Sequence, residues 1–370
     1  MNREAVERQK RALAAAGWDA LIAISPENVI YTTGIAVPSQ PLMRWRHAVA
    51  VVTADRRSAM LVIDMEETTV RSDPEIQNVR VYREFVDDPM EKLADLLIEL
   101  GLERAALGVE FDYLPAKDYL TLERRLPHAK LAAADAIFTK LRQVKGQKEI
   151  QLLRELSHAT DRAIGETLKN ARRGMTEMEL AGDLLTRLFA GGAENYKLMI
   201  VASGERSQFP NVGPTERALK DGDLIRMEIF GQKTGYLAGI CRTAVVGRAT
   251  AEQEKIWKNL VECKYLVMDM IKPGASCKAV YHKFLERFSA LGFEPISFVG
   301  HGIGLALHEE PYLGRYGDEI LEEGMVVAIE PLVYIPGRFG MQNKDMLVVT
   351  KNGCELLSDQ TNTDDLIRTQ

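Results

Sequence analysis

The segment Gly174-Met175-Thr176-Glu177-Met178-Glu179-Leu180 returns one hundred residues later as Gly274-Ala275-Ser276-Cys277-Lys278-Ala279-Val280. The correspondence continues at the same offset, with Leu184, Leu185, Arg187 and Leu188 matched by Phe284, Leu285, Arg287 and Phe288. Thr176 and Ser276 are each placed to cap the helix that follows, and Thr176-Glu177-Met178-Glu179 is a capping box. Two unrelated amphipathic helices can align by chance. The constant offset instead favours an internal duplication with pseudo-two-fold symmetry, each half running helix, helix, then strands.

Working outward, Ile150, Leu153, Leu156, Ile164 and Leu168 are spaced for one buried face of a long helix opening after Leu141-Arg142-Gln143-Val144-Lys145-Gly146. Apolar runs at 224–230, 242–247, 325–329 and 346–350 read as strands. Before residue 134 the pattern alternates. Helices are expected at Arg3–Ala16, Met90–Leu100 and Ala116–Leu126. Short strands are expected at 20–24, 47–52, 59–63 and 106–110, with a charged turn at Asp55-Arg56-Arg57. That is an α/β domain over 1–134, followed by an α+β domain over 135–370. A chain of 370 residues is too long for one ordinary core, so two domains also agree with length.

The formal charge of −6 argues against a nucleic-acid partner, which requires a basic footprint. No apolar run approaches the roughly 20 residues of a membrane helix. The N-terminus has no apolar signal-peptide core. The four cysteines are scattered without a pairing pattern. A cytoplasmic enzyme with no membrane or nucleic-acid partner is the expectation.

The chemistry-bearing residues sit at strand ends. Gly222-Asp223-Leu224-Ile225-Arg226-Met227-Glu228 ends in a carboxylate; Gly235-Tyr236 and Cys241-Arg242-Thr243 follow. Gly300-His301-Gly302-Ile303-Gly304 precedes His308-Glu309, and Ile329-Glu330-Pro331 follows an apolar run. A carboxylate at the end of so apolar a strand needs a partner, and Lys344 is the obvious one. A strand-end carboxylate in water and an exposed strand lysine are the plainer alternatives for Glu228 and Lys344. His301 reads as part of a glycine-flanked turn, of the kind that brings backbone close to a ligand. His308 is the candidate for proton transfer, since histidine titrates near operating pH.

These motifs together resemble the aminopeptidase P, prolidase and creatinase superfamily of pita-bread hydrolases. The resemblance covers essentially the whole chain. It implies a creatinase-like N-terminal domain and a pita-bread catalytic domain with a pseudo-two-fold repeat. Metal-dependent members place two Asp, one His and two Glu around a pair of divalent cations. The matching positions here are Glu228, Gly239, His301, Glu330 and Lys344. Glycine has no donor atom and an ammonium has no lone pair. In creatinase, which needs no metal, the position of Lys344 is also not a carboxylate. The creatinase catalytic histidine corresponds to Asn211, which cannot carry a proton at neutral pH. In creatinase-like dimers the loop matching Pro41-Leu42-Met43-Arg44-Trp45-Arg46-His47 enters the partner's site, where an arginine grips a substrate carboxylate. A basic surface loop is the plain alternative.

Three functions remain open on this reading. The first is a metal-independent, creatinase-like hydrolase of a C–N bond. Glu228 and Glu330 outnumber Lys344 by one charge, so a small cationic, guanidino or amine substrate would complete the site. His308, Glu330 and Glu228 are then catalytic, while His301, Asn211, Lys344, Arg242, Arg44 and Tyr236 bind substrate. No metal and no cofactor are expected, and a homodimer brings Arg44 near the partner's pocket. The second is an Xaa-Pro peptidase keeping one ion on His301, Glu330 and Glu228. The third is a non-catalytic binding module.

Overall fold

The computed structural model describes residues 2–55, 58–73, 76 and 78–369. Arg56 and Arg57 of the expected charged turn lie outside them. Contacts divide the chain into two units, Met1–Arg142 and Gln143–Gln370.

The first unit is built on a six-stranded mixed sheet in the order Val79–Tyr82, Ser58–Ile63, Val49–Thr53, Ala20–Ala23, Ala106–Val109, Lys130–Ala133. Its central strands are buried along their whole length, as continuous apolar runs require when both faces are covered. Helix Arg3–Ala16 starts where the Asn2 side chain accepts from the amide of Ala5, and ends at Gly17, whose φ of 68° suits a residue without Cβ. Helices Pro89–Glu99 and Ala116–Arg125 stand close to their expected bounds. The division falls at 142 rather than 134 because the intervening helix, Asp135–Gln143, sinks Phe138 among Val6, Leu13, Leu21, Ala50 and Val52 of the first unit.

The second unit is a pita-bread fold whose two halves repeat one plan. Helices Gln147–Asn170 and Glu177–Ala190 precede strands Asn195–Ser203, Leu224–Lys233 and Tyr236–Val246. Helices Ala251–Met270 and Cys277–Ala290 precede Phe298–Gly302, Glu309–Gly314, Val326–Ile329 and Asp345–Thr350. The duplication extends to single hydrogen bonds. Gly174 (φ 88°) donates to Leu219 O at 2.9 Å, and Gly274 (φ 86°) to Leu321 O at 2.8 Å. Thr176 bridges Ala218 as Ser276 bridges Ile320. The Thr176 hydroxyl accepts from the amide of Glu179 and that of Ser276 from the amide of Ala279.

The strands form a four-stranded sheet, a five-stranded sheet and a two-stranded ribbon of Leu332–Ile335 with Phe339–Gln342. The larger sheets meet where Cys241 and Lys344 exchange backbone hydrogen bonds of 3.3 and 3.1 Å. Two local expectations change. The strand expected at 242–247 begins at Tyr236, because pairing with Leu224–Lys233 and full burial override the weak β-preference of Ala238 and Gly239. His301 lies in a strand, not a turn. Its glycines admit neighbouring backbone: a Cβ on Gly300 would meet Ala328 O at 2.6 Å, and one on Gly302 would meet Glu310 O at 2.3 Å.

If both repeats rely on the same cap, Thr176→Ala and Ser276→Ala should each lower unfolding free energy by about 1 kcal/mol in denaturant titration. A cost at one position and none at the other would break the functional equivalence of the two turns.

Candidate active site

Strand Leu224–Lys233 alternates its side chains, so Arg226, Glu228 and Phe230 point to one face. Glu330 follows strand Val326–Ile329, held by its amide on Val299 O at 2.8 Å. Lys344 lies between strands Phe339–Gln342 and Asp345–Thr350. Its Nζ is 3.1 Å from Glu228 Oε1 and 3.1 Å from Glu330 Oε2, and only 1% of the residue is exposed. Burial works against the ammonium, but Glu330 and Glu228 outweigh it and push the lysine pKa above its ordinary value. Lys344 therefore stays charged. The ring of Phe230 covers it, with the centroid 4.5 Å from Nζ.

Two residues that the sequence reading did not single out complete the arrangement. Arg226, fully buried, donates to Ser207 O, Phe209 O and Pro210 O, and its guanidinium lies 3.9 Å from Glu228 Oε2. It also donates to Gln342 Oε1 at 3.0 Å, and Gln342 Nε2 donates to Glu330 Oε2 at 3.0 Å. The signal for Arg226 was present in the sequence: an arginine two residues before Glu228 on an apolar strand shares its face. Gln342 carried no comparable signal, because its role depends on Arg226 reaching it across two strands.

His301 is fully buried, and Nδ1 lies 2.8 Å from Gly302 O. A carbonyl only accepts, so Nδ1 carries the proton and Nε2 keeps its lone pair. That Nε2 has no hydrogen-bond partner among the described residues and lies 3.5 Å from Glu330 Oε1. Burial holds the His301 pKa well below the usual histidine value, and Lys344 and His308 lower it further. His308 stacks on His301 with ring centroids 3.6 Å apart. It is half-buried, and burial, then Lys344, lowers its pKa to about 4. Both rings are therefore neutral bases near pH 7.

A cavity of about 690 Å³ opens onto this cluster, lined by Glu228, Glu330, Lys344, His308, Asn211 and Gln342 on one side. Leu198, Phe230, Phe298, Leu307, Leu332 and Tyr334 make an apolar wall. His301 lies behind His308 and Glu330 rather than on the wall. Two expected substrate contacts are not brought here. Arg242 is fully buried between Asp161 and Asp345, at 2.9 and 2.7 Å, and donates to Lys344 O at 2.8 Å. Its guanidinium is used up in structure and does not line the cavity. Tyr236 turns its hydroxyl to Glu149 Oε1 at 2.7 Å. Arg44 belongs to the first unit, where it is exposed; its neighbours Trp45 and Arg46 have a local partner in Glu84.

The donor set decides what ion the site suits. Two ions do not fit, because the Lys344 ammonium stands where the two carboxylates converge and Gly239 offers no atom. A side chain on Gly239 would also have to displace the Phe230 ring, because a Cβ there would lie 2.3 Å from it. One ion does fit. Ligand atoms of His301, His308 and Glu330 lie within 4.8 Å of one another, and the facing lone pairs of His301 Nε2 and Glu330 Oε1 suit a cation. Two histidines with one carboxylate is a donor set of mononuclear catalytic zinc sites. Glu228 is outside this group, so it is replaced by His308 in the one-ion ligand set expected from the sequence.

Comparisons with known proteins agree with the geometry. Metallopeptidase family M24 matches residues 151–351, and the creatinase/prolidase N-terminal domain matches 6–144. The Xaa-Pro dipeptidase of Pyrococcus furiosus is 25% identical over 363 residues, covering 96% of this chain and 98% of that one. The probable dipeptidase PepE of Mycobacterium tuberculosis is 31% identical over 262 residues, covering 68% and 70%. The solved Xaa-Pro dipeptidase from Bacillus anthracis superposes with a TM-score of 0.86 at 25% identity over 99% of both chains. Hydrolysis of a C–N bond is thus supported at the level of the family. The metal-independent, creatinase-like reading is overturned, because the relatives are peptidases and dipeptidases of a metallopeptidase family. The charge argument behind it fails too: Arg226 supplies the positive charge that a cationic substrate was invoked to bring.

Substituting Gly239→Asp should not restore a metal ligand. It should displace Phe230 and destabilise the protein by about 1–3 kcal/mol, as overpacking does. Equilibrium unfolding of the variant measures this, and an unchanged midpoint would mean that the ring yields freely.

Proposed function

Because the chain belongs to metallopeptidase family M24, we propose that it hydrolyses the peptide C–N bond of short Xaa-Pro peptides using one divalent ion. The observation that carries this reading is the orphaned His301 Nε2 facing Glu330 Oε1 beside His308, next to a cavity of peptide size. His301, His308 and Glu330 would hold the ion. When bound there, such an ion would supply Lewis-acid chemistry, lowering the pKa of water and polarising a carbonyl.

The chain's own residues supply the rest. Glu228 lines the cavity as the base that takes a proton from the attacking water, through Oε2, the oxygen not bonded to Lys344. It returns that proton to the nitrogen as the C–N bond breaks. Lys344 keeps its proton and fixes the other oxygen of Glu228. Gln342, oriented by Arg226, holds Glu330. Phe230, Phe298 and Leu332 offer an apolar wall to a pyrrolidine ring and shield the reacting groups from water. Asn211, on a segment pinned by Arg226, can hydrogen-bond the peptide backbone.

A homodimer belongs to the same reading, with the Arg44 loop of one protomer near its partner's pocket. The exposure of Leu42 and Trp45, 77% and 59%, supports it. A cytoplasmic setting fits four free cysteines and the lack, among the described residues, of a helix long and apolar enough to cross a membrane.

Purified protein reconstituted with Mn(II), Co(II) or Zn(II) should release proline from Xaa-Pro dipeptides. Glu228→Gln should lower kcat by about 10²–10⁴-fold with little change in KM, the usual effect of removing a general base. No turnover of any Xaa-Pro peptide with any of these ions would sink the proposal.

A further inference from the structure

Lys344 joins the two halves of the second unit. Glu228 comes from a strand of the first half, Glu330 follows a strand of the second, and one ammonium touches both. Its position is fixed from several sides. The backbone of Lys344 is bonded to Cys241 in both directions, its carbonyl accepts from Arg242, and Phe230 lies over Nζ. Removing the ammonium would leave two buried carboxylates converging beside a cavity. Converging carboxylate oxygens are what a hard divalent cation binds. For an ion to enter while the lysine stays, the ion would have to strand a buried ammonium without counter-charge, which is strongly unfavourable.

We infer that Lys344 is a resident cation, tethered where the two carboxylates converge, that holds Glu228 and Glu330 in place and keeps a second divalent ion out of the site. The inference rests on the one-ion peptidase reading for the identity of the remaining ligands. The difference in ion count between parent and variant does not depend on that reading.

The test is equilibrium dialysis of metal-free protein against excess Co(II), with elemental analysis and the visible Co(II) spectrum as readouts. The parent, Lys344→Glu and Lys344→Gln are compared with Lys351→Gln as a surface control, and circular dichroism reports folding. Lys344→Glu should saturate at one ion per chain more than the parent, with a second Co(II) band. Lys344→Gln should gain the same ion more weakly, and Lys351→Gln should match the parent. A folded Lys344→Glu and Lys344→Gln that bind no more ions than the parent would overturn the inference. So would a parent that itself saturates at two. Should neither variant fold, the parent's saturation decides: two ions refute the inference, and one or none supports it. A parent that binds no ion or cleaves no Xaa-Pro peptide would defeat the peptidase reading, yet leave the ion gain on substitution standing.

Discussion

One ammonium between two carboxylates governs the second unit. Lys344 sits where the two larger sheets exchange a reciprocal pair of backbone hydrogen bonds, and its side chain ties a carboxylate from each half. A buried ion pair is not in itself a strong source of stability, since desolvation offsets most of the attraction. Its consequence is specificity. With Lys344 in place, Glu228 and Glu330 converge on one ammonium; without it, two like charges would have to separate, protonate or find another cation. The same interaction that closes the fold therefore sets which ions and protons the cavity can hold.

A second ionic layer lies beneath the first. Arg242 joins Asp161 and Asp345, and Lys264 reaches Asp345 Oδ2 at 2.7 Å, all with side chains essentially inaccessible to water. Each layer is neutral in itself: Lys344 and Arg226 balance Glu228 and Glu330, and Arg242 and Lys264 balance the two aspartates. Neutrality within a layer is what lets eight charges persist away from water. The layers communicate through one bond, from Arg242 to the carbonyl of Lys344. Arg242 thus acts on the site by placing the backbone that carries Lys344, while touching nothing in the cavity.

Much of this was legible in the sequence, and the limits have physical reasons. The repeat was visible because its capping turns need Gly174 and Gly274 at positive φ and a hydroxyl two residues later, requirements that constrain residue type locally. Glu228, Glu330 and Lys344 stood out because charges at the ends of apolar strands demand partners. The number of charges was misjudged because Arg226 looked like one more strand residue. Its two-residue spacing from Glu228 puts both on one face, but whether that face is core or surface is a tertiary fact. Arg242 was misplaced for the converse reason. Its position in a motif suggested chemistry, whereas Asp161 and Asp345, 81 and 103 residues away, draw it into the core. The glycines beside His301 read as a ligand turn because a need for close backbone approach does not say what approaches.

The departures at Gly239 and Lys344 are one structural event. Gly239 and Phe230 are paired residues on adjacent strands, and the absence of a side chain at 239 is what lets the Phe230 ring lie across it. From there the ring reaches the Lys344 ammonium and forms one wall of the cavity. An aspartate at 239 would push the ring away and expose the ammonium. A carboxylate at 344 would set a third negative charge against Glu228 and Glu330 and leave the ring without its cation. Contacting residues of this kind are energetically coupled, so neither position is free to change alone. The small residue, the aromatic ring and the lysine form a single solution to the problem of two converging carboxylates, and the orphaned nitrogen of His301 beside them leaves a lone pair that this solution does not use.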